Sequence, residues 1–291
     1  MPELPEVQTV VNDLNKRIIG RRIINVWSDW QKTVKKPDFK KFVYLIKEKK
    51  ILKIERRAKN LLFYLSDDLM MLSHLKMTGH WLIGKWEIKN MGVIPLEPKE
   101  VITDPYNKYI HLIFYLDNGK MLALSDLRKF AKILLGTTEE IKNLEEIKKL
   151  GPEPLDRSFK IEEFIKLIKS ERGKIKQVLM NQEVISGIGN IYADEILWLA
   201  KIHPFKPANK LSEKELREVY KDIKIILNKS LKLRGTSSSD YRDTAGKKGE
   251  YHKHLLAYQR EGEKCNRCGT LIKRVKLGGR SAHYCPKCQK D

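Results

Sequence analysis

All four cysteines of this chain lie in its last 27 residues, as Cys265-x-x-Cys268 and Cys285-x-x-Cys288 with sixteen residues between the pairs. Two such pairs match the four thiolates of a tetrahedral zinc site, a zinc ribbon. One ion explains both pairs better than a redox dithiol does. Four protein ligands leave no open coordination position, so a single structural Zn2+ is expected. The body of the chain then has no disulfide framework and must be held by its core. Residues 262–291 carry eight Lys or Arg (Lys264, Arg267, Lys273, Arg274, Lys276, Arg280, Lys287 and Lys290) against Glu263 and Asp291. A basic hairpin held by zinc fits nucleic acid better than an acidic protein partner; a pure stability staple is the plainer alternative.

The whole chain carries the same excess. Lys plus Arg number 58 against 37 Asp plus Glu, a net charge of +21 and a pI near 9.6. That balance calls for a polyanion, either nucleic acid or an acidic membrane surface. Runs such as Lys47-Glu48-Lys49-Lys50 read as solvated faces, so charge gives a partner class and no chemistry. At 291 residues, 41% of them hydrophobic, the chain has ample core for about two domains. No apolar run approaches the roughly 20 residues that span a bilayer, and the N-terminus lacks a signal pattern. A cytoplasmic monomer with no membrane partner is expected.

Periodicity divides the chain. Residues Pro5 to about Ile19 read as one helix, with Pro5 at the first helical position, Glu6 at the positive end of the dipole, and Val7, Val10, Val11, Leu14 and Ile18 on one face. From Arg21 to about Leu135 the pattern changes to short β runs: 23–27, 51–54, 61–65, 109–115 and 121–124, with a hairpin signal at Asp117-Asn118-Gly119-Lys120. Many short strands indicate a β-sandwich or barrel. Leu150-Gly151-Pro152-Glu153-Pro154-Leu155 breaks the pattern. Helical stripes follow at Phe164, Ile165, Leu167 and Ile168 and from Ile188 to Ala200. Leu211-Ser212-x-x-Glu215 is a capping box opening a helix to about Leu233. Arg234 to about Tyr251, poor in apolar residues, reads as a long mobile loop.

The first six residues, Met1-Pro2-Glu3-Leu4-Pro5-Glu6, carry the chemistry. Removal of Met1 would leave Pro2 as a free secondary amine, partly neutral near pH 7 because an α-amino group titrates at about 7.7–8.0. A secondary amine that attacks a sugar's anomeric carbon collapses to an iminium. Glu3 stands ready to move protons at the same carbon. The helix dipole disfavours the ammonium form of Pro2, and Glu3 favours it. Taken alone, the segment is a tail with two prolines.

Three motifs occur together in order: Pro2-Glu3-Leu4-Pro5-Glu6; Ser186-Gly187-Ile188-Gly189-Asn190-Ile191-Tyr192-Ala193-Asp194-Glu195; and Gly278-Gly279-Arg280-Ser281-Ala282-His283-Tyr284-Cys285-Pro286-Lys287-Cys288-Gln289. Their combination resembles the bacterial formamidopyrimidine-DNA glycosylase family, essentially end to end. The resemblance implies an α+β fold: an N-terminal catalytic β-sandwich with its helix (1–136), a linker (137–159), a helix–two-turn–helix DNA-binding domain with the lesion loop (160–261) and the zinc ribbon (262–291). The helix–two-turn–helix element is expected around 186–204, with a cleft between domains for bent duplex DNA.

At matching positions it implies Pro2 as nucleophile, Glu3 as general acid and base, Glu6 as a structural carboxylate, and Lys59 gripping the phosphates that flank the lesion. His74, Asn190 and Arg280 would be further phosphate contacts. A base stacked in a duplex must be flipped out and its place filled. Met77 matches the family's intercalating wedge, and Arg128 and Phe130 match the partners of the orphaned cytosine; an apolar side chain and an aromatic suit that task. The loop from Thr236 to Tyr241 would close over the extruded base. Ala131 stands where glycine is expected, which would shift that loop slightly, and Ser281-Ala282 replaces a more usual Gly-Thr.

The implied activity is that of a bifunctional glycosylase and abasic-site lyase acting on 8-oxoguanine or formamidopyrimidine in double-stranded DNA. An endonuclease VIII-like enzyme for oxidised pyrimidines is the nearest rival; that family typically has glycine where Leu4 stands. A non-catalytic zinc-containing DNA-binding protein is the rival of another class, and it would not need Pro2, Glu3 and Lys59.

Overall fold

A computed structural model describes residues 1–89 and 92–290. Asp291, counted above in the charge of the tail, lies outside the described residues. The chain forms two compact units. The first comprises Met1–Lys148 and Leu233–Glu250; the second comprises Lys149–Lys232 and the chain from Tyr251 onward. Among the described residues no helix is long and apolar enough to cross a membrane.

The strands of the first unit are β1 (Ile23–Trp27), β2 (Val34–Lys36), β3 (Ile51–Arg57), β4 (Asn60–Leu65), β5 (Leu69–His74), β6 (His80–Lys89), β7 (Gly92–Glu97), β8 (Ile110–Leu116), β9 (Met121–Ser125) and β10 (Lys132–Thr137). They make two five-stranded sheets, in the orders β1-β8-β9-β6-β7 and β2-β10-β5-β4-β3. Pairing is antiparallel except between β10 and β2. The period-two alternation of a strand sets which residues meet. Leu61, Phe63 and Leu65, Trp81 and Ile83, Leu112, Phe114 and Leu116, and Ile133 and Leu135 share one core between the sheets. Trp81 sits at its centre, with Phe63 and Phe114 at ring distances of 6.0 and 5.8 Å. Its indole N–H donates to Ser73 Oγ at 3.1 Å.

Helix α1 (Leu4–Arg17) lies over this core through Val7, Val10, Val11 and Leu14. It begins one residue before the expected Pro5 and ends two residues before Ile19. Its position is fixed by Asn15, whose amide donates to Ile54 C=O at 2.7 Å and accepts the Ile54 N–H at 3.0 Å. One side chain thus satisfies both backbone groups of a residue on β3, an edge strand.

Helix α2 (Phe39–Ile46), capped by Asp38, has no counterpart among the expected elements. The supposed linker 137–159 also begins with structure: α4 (Thr138–Lys142) and α5 (Glu145–Lys148) follow the short α3 (Lys99–Thr103) in the first unit. Thr137 and Glu140 form a capping box there, and a capped turn orders a segment that composition alone marks as a spacer.

The segment 233–250 departs most from expectation. It belongs with the β-sandwich unit rather than with the helical domain, and it is tied down along its length. Arg234 pairs with Asp13 and Asp243 at 2.5 and 2.7 Å. Thr244 C=O accepts the Ile83 N–H at 2.9 Å, and buried Arg242 pairs with Asp104 at 2.7 Å. Its polar composition reflects specific pairing, not a free lid.

The second unit is built from α6 (Ile161–Ser170), α7 (Ile175–Met180), α8 (Asn190–Ala200), α9 (Glu213–Lys232) and the hairpin β11 (Lys273–Leu277) with β12 (Arg280–Tyr284). Ser212 and Glu215 form the expected cap of α9 (Glu215 Oε2 accepts the Ser212 N–H at 2.7 Å). The two helices joined by turns at 181–189 are α7 and α8, so this element begins earlier than residue 186. Helix α8 is buried on nearly every side. Buried Glu195 accepts the N–H groups of Leu256, Ala257 and Tyr258 at 2.8 to 2.9 Å. Burial pushes its carboxyl up to about 7 against the pull of those donors.

Candidate functional site

In the first unit the candidate residues gather at one end of the sandwich. Glu3 caps α1, and Glu6 Oε2 accepts the Glu3 N–H at 2.8 Å. Glu6 Oε1 accepts the Thr236 N–H at 2.7 Å. One carboxylate therefore ties the N-terminus to the 233–250 segment. Gly235, at φ +84°, makes room for it: a Cβ there would lie 2.7 Å from Glu6 Oε1. Pro2, Glu3 and Glu6 are all buried. The α-amino group at Met1 is held below its ordinary value by burial, although Glu3 and Glu6 pull it upward.

Lys59 lies in the β3–β4 turn and is buried to 5%. Its charge pushes the α-amino group down and does the same to His74. The pairing of Asn60 with His74 across β4 and β5 explains why both residues reach this end of the sheet. His74 Nδ1 accepts the Lys76 N–H at 2.9 Å. Burial and the nearby Lys76 and Lys59 charges push its pKa down to about 3. His74 is thus neutral with its proton on Nε2, a hydrogen-bond donor but not a cation.

Two connections between the sheets lie here. Residues 75–79 join β5 to β6, and 126–131 join β9 to β10. Met77 is half-buried in the first. In the second, Arg128 is exposed and its guanidinium lies 4.6 Å from the centre of the Phe130 ring, itself 52% exposed. A large aromatic left that bare on an ordered loop is unusual for core material. Ala131, where glycine was expected, is buried to 1%. Its methyl fits opposite Gly79, where an added Cβ would lie 3.3 Å away.

Tyr241 requires a correction. Expected on the DNA side, it is buried in the sandwich core with its hydroxyl donating to Glu6 C=O at 3.4 Å. Its ring is taken up by packing in the core. Sequence reasoning also missed Thr78, Asp126 and Gly235, which touch the candidate residues or their neighbours without resembling them, and it gave Thr236 no part in holding Glu6. Only the adjacency of Thr78 to Met77 and of Asp126 to Arg128 hinted at them.

In the second unit Asn190 opens α8 after Gly187, at φ +87°, and Gly189. The turn is held by Gln182, which accepts the Gly187 N–H at 2.9 Å and donates to Ile188 C=O at 2.7 Å. Asn190 Oδ1 is buried without a hydrogen-bond partner. Arg280 is exposed at the start of β12, beyond the Gly278–Gly279 turn. It borders a cavity of about 250 Å³ together with Lys176, Gln177 and Asn181. The Cys265, Cys268, Cys285 and Cys288 sulfurs lie within 4.8 Å of one another. A tetrahedron with Zn–S bonds of about 2.3 Å has S···S edges of about 3.8 Å, so four thiolates here suit the ion. These residues form one structural zinc site.

Comparison with known proteins agrees domain by domain. The formamidopyrimidine-DNA glycosylase N-terminal domain matches residues 1–133, the H2TH domain of the same enzymes matches 150–242, and a zinc finger found in FPG and IleRS matches 262–290. The formamidopyrimidine-DNA glycosylase of Herpetosiphon aurantiacus is 39% identical over 99% of this chain and 100% of its own. That of Ligilactobacillus salivarius is 39% identical over 99% of both. Among solved structures, Lactococcus lactis Fpg with an abasic site containing DNA superposes with a TM-score of 0.87 at 35% identity, covering 99% of this chain and 100% of that one. MutM in complex with carbocyclic 8-oxo-G containing DNA gives 0.85 at 36% identity and covers 100% of both. The chain belongs to the formamidopyrimidine-DNA glycosylase family.

Proposed function

We propose that the chain is a bifunctional DNA glycosylase and abasic-site lyase that excises oxidised purines, 8-oxoguanine and formamidopyrimidine, from duplex DNA. The observation that carries this reading is the buried N-terminus. An amine whose charged form is disfavoured by burial is a nucleophile near neutral pH, and it is flanked by Glu3, Glu6 and Lys59. Once Met1 is removed, the Pro2 nitrogen takes that role. Its lone pair attacks the anomeric carbon, the bond to the base breaks, and the base leaves with its electron pair. The N–H proton of the adduct neutralises the departing base, and Glu3 protonates the sugar ring oxygen as the ring opens to an iminium. Loss of the C2′ proton expels the 3′ phosphate, and a second elimination expels the 5′ phosphate.

The other candidates hold DNA. Lys59 and Arg280 are cations for phosphates, and neutral His74 donates a hydrogen bond. Asn190 stands at the start of α8, where free N–H groups and the dipole favour an anion. Met77 fills the space left by the base, and Arg128 and Phe130 engage the unpaired cytosine. The 233–250 segment positions Glu6 and the N-terminus. With such a substrate the protein works in the cytoplasm, on the nucleoid. Its relatives were solved with Fapy-dG and carbocyclic 8-oxo-G DNA, which favours purine lesions over pyrimidines.

Borohydride reduction during turnover tests the proposal. With duplex DNA carrying 8-oxoguanine opposite cytosine, a reduced adduct on Pro2 is expected by mass spectrometry. An adduct formed only with an oxidised pyrimidine would move the chain to an endonuclease VIII-like specificity. No adduct with either lesion or with a plain abasic site would leave a DNA-binding protein.

A further inference from the structure

We infer that Thr78 and Asp126 lock the Met77 turn and the Arg128–Phe130 loop to each other and, through buried contacts, to the 233–250 segment, so that the wedge and the cytosine loop act as one mechanical piece braced on the segment that holds Glu6. This rests on the functional reading above and adds two positioning residues to it. The Thr78 hydroxyl donates to Asp126 Oδ1 and accepts the Arg128 N–H at 3.0 Å. Asp126 Oδ2 accepts the Ala131 N–H at 2.7 Å. Both side chains are buried, at 6% and 2%. The residue after the wedge thus holds the backbone of the cytosine loop at two points, 128 and 131, on either side of Phe130.

The same residue leads to the third segment. Thr78 C=O faces His80 Nδ1 at 3.2 Å, and His80 Nε2 lies 3.1 Å from Asn107 Oδ1. The Asn107 amide donates to Gly246 C=O at 3.2 Å. Gly246 has φ +80°, and a Cβ there would lie 2.6 Å from Asn107 Nδ2, so the contact is close. His80 and Asn107 are both buried. Both atoms that face His80 are acceptors and burial keeps its ring neutral, so its single N–H bonds one of them and the other is a packing contact; the remaining links are hydrogen bonds out of water, where an unmade partner is costly. A turn that moves alone would orphan several such groups at once.

Thr78→Val removes the hydroxyl at nearly constant volume, and Thr78→Ser keeps it. In the DNA-free protein, Thr78→Val should speed amide hydrogen exchange at Arg128 and Ala131 and over 243–247. Excision of 8-oxoguanine from duplex DNA should slow about ten- to a hundredfold, the scale of a lost buried hydrogen bond or two. Cleavage of a single-stranded abasic oligonucleotide, which needs neither wedge nor flipping, should stay within about twofold of the parent. Thr78→Ser should restore most of the duplex rate. Parent-like excision by Thr78→Val, or an equal loss on both substrates, would overturn the inference. Faster exchange confined to 126–131 would remove the third segment from it. A parent protein inert on both substrates would sink the functional reading instead, while the exchange data would still decide the wiring.

Discussion

The most pointed consequence of the buried N-terminus concerns a residue with no side chain. Gly235 has φ +84°, and an added Cβ would stand 2.7 Å from Glu6 Oε1 and 2.8 Å from Glu6 Cγ. Gly235→Ala therefore carries two costs. The left-handed backbone costs a non-glycine residue about 1–2 kcal/mol. The displaced Glu6 carboxylate must also loosen its bonds to the Thr236 and Glu3 N–H groups, at 2.7 and 2.8 Å, and one buried donor left unpaired costs about 1–3 kcal/mol. The sum is about 2–5 kcal/mol, partly offset by the smaller chain entropy lost by alanine. Gly119→Ala isolates the first term: φ is +75° and nothing lies within 4 Å of its Cβ. Denaturant unfolding of both variants should show Gly235→Ala less stable than Gly119→Ala by at least about 1 kcal/mol. Borohydride trapping should be slowed in Gly235→Ala alone. Equal stabilities with equal trapping rates would refute the claim that Glu6 anchors the nucleophile through this contact.

Three further outcomes follow from the same geometry. Pro2 is buried, burial disfavours an ammonium, and the neutral amine is the nucleophile, so single-turnover Schiff-base formation should rise with pH and level off at or below about pH 8, the ordinary range of an α-amino group; a rise centred well above that would contradict it. With Lys59 and Arg280 as fixed cations and His74 neutral, log affinity against log salt should fall with a slope of at least about −2, at roughly −0.9 per neutralised phosphate; a flat response would exclude these phosphate contacts. Zinc chelation should unfold the 262–290 tail and abolish DNA binding while near-ultraviolet dichroism of the Trp81 core persists; tight binding by metal-free protein would count against the ribbon's role.

How much of this was legible in the sequence depended on whether a pattern was local. Helix α1, β1, β3, β4, β8 and β9 announce themselves by periodicity, and the cap of α9 and the zinc cysteines by fixed spacing. The strands β5, β6 and β10 do not, because Met70, Met71 and Leu72 or Leu134 and Leu135 are apolar on both faces and break the alternation. The 233–250 segment was misread for the opposite reason. Its polar residues look solvated, but their partners, Asp13, Glu6, Ile83 and Asp104, lie more than a hundred positions away. Tyr241 belongs to the same segment, and its ring packs in the core that α1 covers. Thr78 and Asp126 were invisible because a single Thr or Asp carries no pattern until the chain brings them together.

The second unit shows why a zinc ribbon alone would not suffice. Four thiolates close the hairpin on itself but do not say where it points. The first cysteine pair is oriented by Arg267, which lies between its cysteines, donates to Trp198 and Leu199 C=O at 3.1 and 3.2 Å, and stacks on Trp198 at 4.1 Å. The second pair is oriented by Gln289, which accepts the Cys285 N–H at 2.8 Å and donates to Ile202 C=O at 2.9 Å. Between them, His283 of β12 bonds Asp194, which also pairs with buried Lys176 at 2.6 Å. Trp198, Leu199 and Asp194 belong to α8, and Ile202 follows its end. The helix whose first residue is Asn190 thus also fixes the base of the hairpin that presents Arg280. Two proposed phosphate contacts, 90 positions apart in sequence, are set against each other by one rigid element, and a phosphate backbone with a fixed repeat requires that of its contacts.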